Sequence, residues 1–253
     1  MTPRSIPPAE ISEIPLKGPE PVSRPFEVFA APKIKIERAR VVMGELSRAI
    51  ASFLDTNPAK IRVEIRDSKS VRPQVFFHWD GMGAPEMLGA IVGDIIHNLR
   101  SALDLAACEL ARAAGESDKG VYFPFCDHPG GLDKAIKDKR FHRAGKEAVA
   151  LLLELKPYRE GNAALRAIHD LDIQDKHQML IPAFMTVASP ILSRWDDDGT
   201  PNLTVVGDPN LPSEISLTFP VGPLEGAEIL PTLEQLVELV NGIVEAFGAL
   251  VSR

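Results

Sequence analysis

Residues 85–115, PEMLGAIVGDIIHNLRSALDLAACELARAAG, decide how the rest of the chain is read. At about 100° per residue, Leu88, Ile91, Val92, Ile95, Leu99, Ala102, Leu103, Ala106 and Leu110 gather on one side of a helix. Asp94, His97, Arg100, Ser101 and Asp104 gather on the other. The spacing therefore predicts one long central helix with a broad apolar face and a compact polar stripe. Two acids, an imidazole, a guanidinium and a hydroxyl within three turns make this stripe the first place to look for chemistry.

Working outward, residues 34–55 repeat the helical pattern through Ile36, Ala39, Val42, Met43, Leu46, Ile50 and Leu54. The TNP that follows stops it, because a residue before proline avoids the α region. KIRVEIRD then alternates Ile61, Val63 and Ile65 with charged residues, the two-residue period of a strand. With VRPQVFFHWD after it, the pair predicts a β-hairpin, and Pro73 suits an edge position. Residues 116–131 read as a loop anchored by Tyr122, Phe123 and Phe125, and 132–142 as a short basic helical stretch. Residues 147–155 predict a buried helix, and another starts after Asn162, a good N-cap. Short β-type runs within 188–220 predict a small antiparallel sheet, and the apolar spacing after Pro231 predicts a closing helix. Residues 1–33 hold eight prolines and little periodicity, which predicts an extended arm before a single α+β domain over 34–253. Ile14, Leu16, Phe26, Val28 and Phe29 are its candidates for contact with the body.

Composition narrows the classes. A 45% apolar fraction beside 25% charged residues is that of a globular chain with a real core. A net charge of −7 argues against a chain built to coat nucleic acid, though a local basic patch is compatible with it. The Lys- and Arg-rich run 134–146 reads as solvated surface, with a seat for a partner or an intramolecular contact as the alternative. From Asp196 onward nearly every charge is acidic. No apolar run reaches the roughly 18 residues of a membrane span, and the N-terminus lacks the apolar core of a signal peptide. Cys108 and Cys126 make neither a zinc set nor a disulfide framework, so a reduced, cytoplasmic protein is the expectation.

Three clusters carry candidate chemistry. In the central stripe, Asp94, His97 and Ser101 supply the residue types of a hydrolase triad. A mid-helix serine, however, lacks the strained turn and oxyanion hole that a triad needs. Arg and His together suit a phosphate-bearing substrate, the first holding the anion and the second moving a proton. The second cluster, HDLDIQDKH at 169–177, has two His and three Asp in nine residues. Its spacing matches no recognised metal signature, so no metal or other cofactor is expected, and a polar network to the central helix is the simpler reading. In the third, Cys126, Asp127 and His128 share a Pro/Gly-rich loop, where a small buried thiol is commoner than a nucleophile.

GDIIHNLRSALD (93–104), LKPYREGN and DIQDKHQML (172–180) together resemble an uncharacterised bacterial and phage family that pairs such a helix with a downstream DKH element. More loosely, the first motif is similar to the HEPN-like helical proteins. That resemblance implies a metal-independent ribonuclease or phage-defence role, with an Arg and a His on one helix and a site completed across a homodimer. Arg100 matches the arginine, while the expected histidine slot holds Leu105, leaving His97 or His177 as the acid/base. Gln178 stands where the second motif tends to have arginine. Asp94, Asn98, Ser101, Asp104, Asp175 and Lys176 are then the candidate binding groups, and RNA the implied partner. The competing expectation is a non-enzymatic interaction module. There the stripe is structural, and the proline arm or acidic C-terminal half meets a protein.

Overall fold

The computed structural model describes residues 28–55, 61–66, 74–79, 86–178, 184–187, 191–195, 201–205, 215–219 and 222–251. Its body is mainly helical. Six α-helices run in chain order: α1 (Ala30–Asp55), α2 (Glu86–Ala113), α3 (Leu132–Asp138), α4 (Lys146–Leu155), α5 (Ala163–Gln178) and α6 (Ile229–Val251). α2 is the axis of the packing, with α1, α5 and α6 all lying against it. Its expected apolar face is buried, apart from the half-buried Ile91, and burial continues round the helix to Ile96, Ala107, Ala111 and even Arg100.

α1 begins at Ala30, four residues before the expected boundary, so the arm ends at 29 instead of 33. The physical reason is that first-turn N–H groups have no helical acceptor, and Pro32 can sit there without losing a bond. Phe29 turns the chain into this helix with a left-handed φ of 68°. Its ring is buried, close to Gly248 of α6. Val28 is exposed, and the other arm residues named above lie outside the described residues.

One further helix start and one helix end follow sequence rules. Asn162 caps α5 by accepting a hydrogen bond from the Leu165 N–H at 2.9 Å. α4 ends where Lys156 takes a left-handed conformation just before Pro157. The stretch 132–142 divides into α3 and a 3₁₀ turn, Phe141–Ala144, joined by a left-handed Arg140.

The strands pair only two by two among the described residues. β1 (Ile61–Arg66) and β2 (Gln74–Trp79) run antiparallel in the register Ile61 to Trp79. The small sheet expected at 188–220 is not formed as one sheet. Instead β4 (Ile191–Trp195) pairs with β5 (Pro201–Val205), and β6 (Ile215–Thr218) pairs with β3 (Phe184–Val187). The pairings are nested in sequence, one hairpin within the other. Each strand therefore takes its strand partner from the opposite arm, and β6 adds a single antiparallel bridge from Thr218 to Glu228.

A single apolar core runs through all six helices. At one end of it Phe123 lies 5.0 Å from Phe125, 6.1 Å from Phe141 and 6.3 Å from Phe247, centroid to centroid. Leu103 on α2 is fully buried in this core. Leu103→Ala is expected to cost about 2–5 kcal/mol, read as a lowered midpoint in urea unfolding.

Candidate functional site

The polar stripe of α2 divides into two rows with different duties. One row, Arg100, Asp104 and Cys108, steps along the helix at four-residue intervals. Against it lies the extended segment 121–125, which carries no helical or sheet bonds of its own. The Asp104 carboxylate accepts the Phe123 N–H at 2.9 Å, and an Arg100 Nη2 donates to the Phe123 carbonyl at 3.4 Å. The Cys108 thiol donates to the Val121 carbonyl at 3.4 Å. Buried backbone groups must be paired, and this row pairs them.

Arg100 is held inward by that duty. Its Nη1 is 2.5 Å from Asp104 Oδ1, an ion pair without hydrogen-bond geometry. Its guanidinium lies 4.9 Å from the Phe125 ring centroid, and His169 stacks on the same ring at 4.7 Å. With 8% of its surface exposed, Arg100 is not presented to a substrate as the sequence expectation had it. Desolvation, reinforced by the nearby Arg100 and Arg166 cations, lowers the His169 pKa to about 4. The same imidazole has a buried Nδ1 with no hydrogen-bond partner among the described residues. His169 is thus a neutral packing ring.

The other row, Asp94, His97 and Ser101, faces α5 and solvent. His97 Nδ1 lies 3.0 Å from Asp172 Oδ1, and Ser101 Oγ lies 3.4 Å from His97 Nε2. A carboxylate only accepts, so Nδ1 carries the proton and Nε2 is left with a lone pair toward the hydroxyl. Asp172 is 4% exposed, whereas the His97 side chain is half exposed. The other Asp172 oxygen holds Lys176 Nζ at 2.6 Å. One buried carboxylate therefore fixes an imidazole and an ammonium side by side. On the α1 side, Lys35 Nζ donates to Asn98 Oδ1 at 3.2 Å, while the Asn98 amide donates to the Asp94 carbonyl at 2.8 Å.

Gly93 explains how α2 and α5 come this close. A Cβ there would stand 2.4 Å from Asp175 Oδ1, so the carboxylate occupies the place of a side chain. Burial raises the Asp175 pKa, and the neighbouring Asp172 and Asp94 carboxylates add to it. The two sequence motifs thus meet twice, Gly93 with Asp175 and His97 with Asp172. His177 stands in the last turn of α5, and its side chain lies outside the described residues.

Both cysteines are free and partly buried. Desolvation raises the pKa of both Cys108 and Cys126, which keeps them thiols. Cys126 Sγ donates to the His128 carbonyl at 3.2 Å. Arg166, unnoticed in the sequence, pins this loop to α5. It donates to the Cys126 carbonyl at 2.8 Å, to Asp127 at 3.0 Å and to Asp170 at 3.0 Å. Only its four-residue spacing to Asp170 hinted at this. Among the described residues no group of three or more His, Cys, Asp or Glu has the geometry to hold a metal ion. No helix among them is long and apolar enough to cross a membrane. Compared with known proteins, the chain matches no family, no curated protein and no solved structure.

Two outcomes test this geometry. Alanine is favoured over glycine in a helix by about 1 kcal/mol, so Gly93→Ala should stabilise the protein only where nothing blocks it. It is expected to destabilise the wild type and to stabilise the Asp175→Ala background, a sign change read by a denaturant double-mutant cycle. His169 has a folded pKa of about 4, below the 6.5 of an unfolded histidine. Its stabilising contribution is complete above 6.5 and is lost as pH falls from there toward 4. The Asp175 shift acts in the opposite direction, so the readout is a difference: His169→Phe should flatten the pH slope of stability relative to wild type.

Proposed function

We propose that the chain is a cytoplasmic HEPN-like protein that acts on RNA in a phage-defence setting. In this reading it cleaves without metal, with His97 as the general acid/base. We also read the fold as the α+β form of that group, a helical core bearing paired strands. The observation that carries the proposal is His97 itself: Nδ1 anchored on buried Asp172, Nε2 facing the Ser101 hydroxyl on the half-exposed side. Such an anchor fixes tautomer and ring orientation, which is what proton transfer near neutral pH requires. Lys176, on the same carboxylate, supplies a cation beside the imidazole for a phosphate oxygen.

The chemistry follows. Nε2 takes the proton of a ribose 2′-hydroxyl as its oxygen bonds to phosphorus; the bond to the 5′-oxygen breaks, and that oxygen leaves with a proton from water. Ser101, hydrogen-bonded to Nε2 in the free protein, gives up that position to the substrate hydroxyl. Arg100, assigned to the phosphate by the HEPN-like pattern, here supports the site from beneath instead.

A second reading has its own observation. The burial and pairing of Arg100 favour a non-enzymatic module, in which the stripe is structure and a protein partner is met elsewhere. Cleavage of total RNA in EDTA separates the two. Under the proposal, His97→Ala lowers cleavage by about 10²–10⁴-fold and Asp172→Asn lowers it too, with both variants folded by circular dichroism. Arg100→Lys should act chiefly through stability. Wild type that leaves RNA intact across pH 6–8 refutes the nuclease and leaves the module.

A further inference from the structure

Far along α2 from His97 lies a surface that neither the stripe nor the cleavage chemistry uses. It is built where the turn 115–122 meets the turn 137–143. The Arg140 guanidinium donates to the Lys119 carbonyl at 3.0 Å, and Arg143 donates to the carbonyls of Ser117 at 3.2 Å and Lys119 at 3.4 Å. The backbone joins too, with the Tyr122 N–H bonded to the Lys139 carbonyl at 3.1 Å. Arg140 and Gly120 both take positive φ at this junction, and the Arg140 guanidinium lies 3.2 Å from where a Cβ on Gly120 would stand. The junction is fixed, not a loose charged loop.

What it presents is unusual for this chain. Tyr122 is 50% exposed, although its neighbours Val121 and Phe123 are buried. The Lys139 ammonium lies 5.8 Å from its ring centroid. Lys119, Lys137, Lys139 and Arg140 are exposed around it. Of the acids on these two turns, Asp118 pairs with Arg112 at 3.5 Å and Asp138 with Lys134 at 3.9 Å, while Glu116 is exposed at the start of the first turn. Among the described residues none of Lys119, Lys137, Lys139, Arg140 and Arg143 has a carboxylate at ion-pair distance. Residues 134–146 hold six Lys and Arg against one Asp, in a chain of net charge −7. Cations left uncompensated in an acidic protein concentrate positive potential at one place.

We infer that this face binds single-stranded RNA, with Tyr122 as a stacking platform and Lys119, Lys137, Lys139 and Arg140 as phosphate contacts. The aromatic decides the partner. An acidic protein needs the cations alone, whereas an unstacked base needs an exposed ring beside them. A duplex would satisfy the charges but offers no free base face. The choice of RNA rests on the reading given under Proposed function; the site itself rests on its own geometry.

The test measures binding, with cleavage prevented by the substrate. A fluorescent single-stranded 2′-O-methyl oligonucleotide, which has no 2′-hydroxyl to attack phosphorus, is titrated with the full chain in EDTA. Four phosphate contacts predict an affinity loss of about fifty-fold between about 50 and 200 mM salt. Tyr122→Ala should weaken binding about tenfold, and Lys137→Glu with Lys139→Glu should weaken it further and lower the salt slope. Arg38→Glu, a charge reversal on α1, should leave it unchanged. No binding by wild type, or binding that the patch variants leave intact, overturns the inference. So does a polyglutamate peptide that binds through the same lysines, with Tyr122→Ala without effect, since an acidic protein is then the partner. RNA cleavage that persists without patch-dependent binding refutes this face alone; patch-dependent binding without cleavage refutes the nuclease alone.

Discussion

An extended segment in a helical core has no ladder to pair its backbone, and the organisation of this molecule follows from how that is resolved. Residues 121–125 bring Val121, Phe123 and Phe125 into the core, and their N–H and carbonyl groups go with them. α2 answers with Asp104 at the Phe123 N–H, Arg100 at the Phe123 carbonyl and Cys108 at the Val121 carbonyl, one per turn. Arg100 is itself costly to bury, and Asp104, the Phe123 carbonyl and the face of Phe125 offset that cost together. His169 then stacks on Phe125, and Arg166 clamps the next residues to α5. The segment thereby joins α2 to α5, and their relative position follows.

That position creates the candidate site. With α5 held against α2, Gly93 admits Asp175, and the next turn brings Asp172 under His97. One helix thus carries two polar rows a fraction of a turn apart, one inward and supporting, the other at the edge and open. The sorting is physical: a guanidinium can be buried when it is paired on several sides, while an imidazole needs only one anchor to stay oriented at the surface.

Much of this was legible beforehand. The α2 apolar face, the Asn162 cap, the stop before Pro157 and the pairing of 61–66 with 74–79 all follow from local rules of period, capping and proline. The facing of the α2 stripe and the 169–177 cluster was legible as well, from the concentration of polar residues on two otherwise apolar helices. The early start of α1 was not, because Pro32 looks like a breaker until its place in the first turn is known. Nor was the nesting of the strand pairs within 184–218, since alternation marks a strand without naming its neighbour.

The sequence by itself determined the helices, their apolar faces and the identity of the polar residues on α2, because these depend on residues three or four apart. Only the tertiary structure decided which of those polar residues support the fold and which meet solvent. Arg100 and His97 are three residues apart on the same stripe, equal by any local measure. What separates them is the chain from distant positions: Phe123 and Phe125 cover Arg100, whereas Asp172 holds His97 from one side and leaves the other open. Local spacing says which way a side chain points, and packing says what waits there.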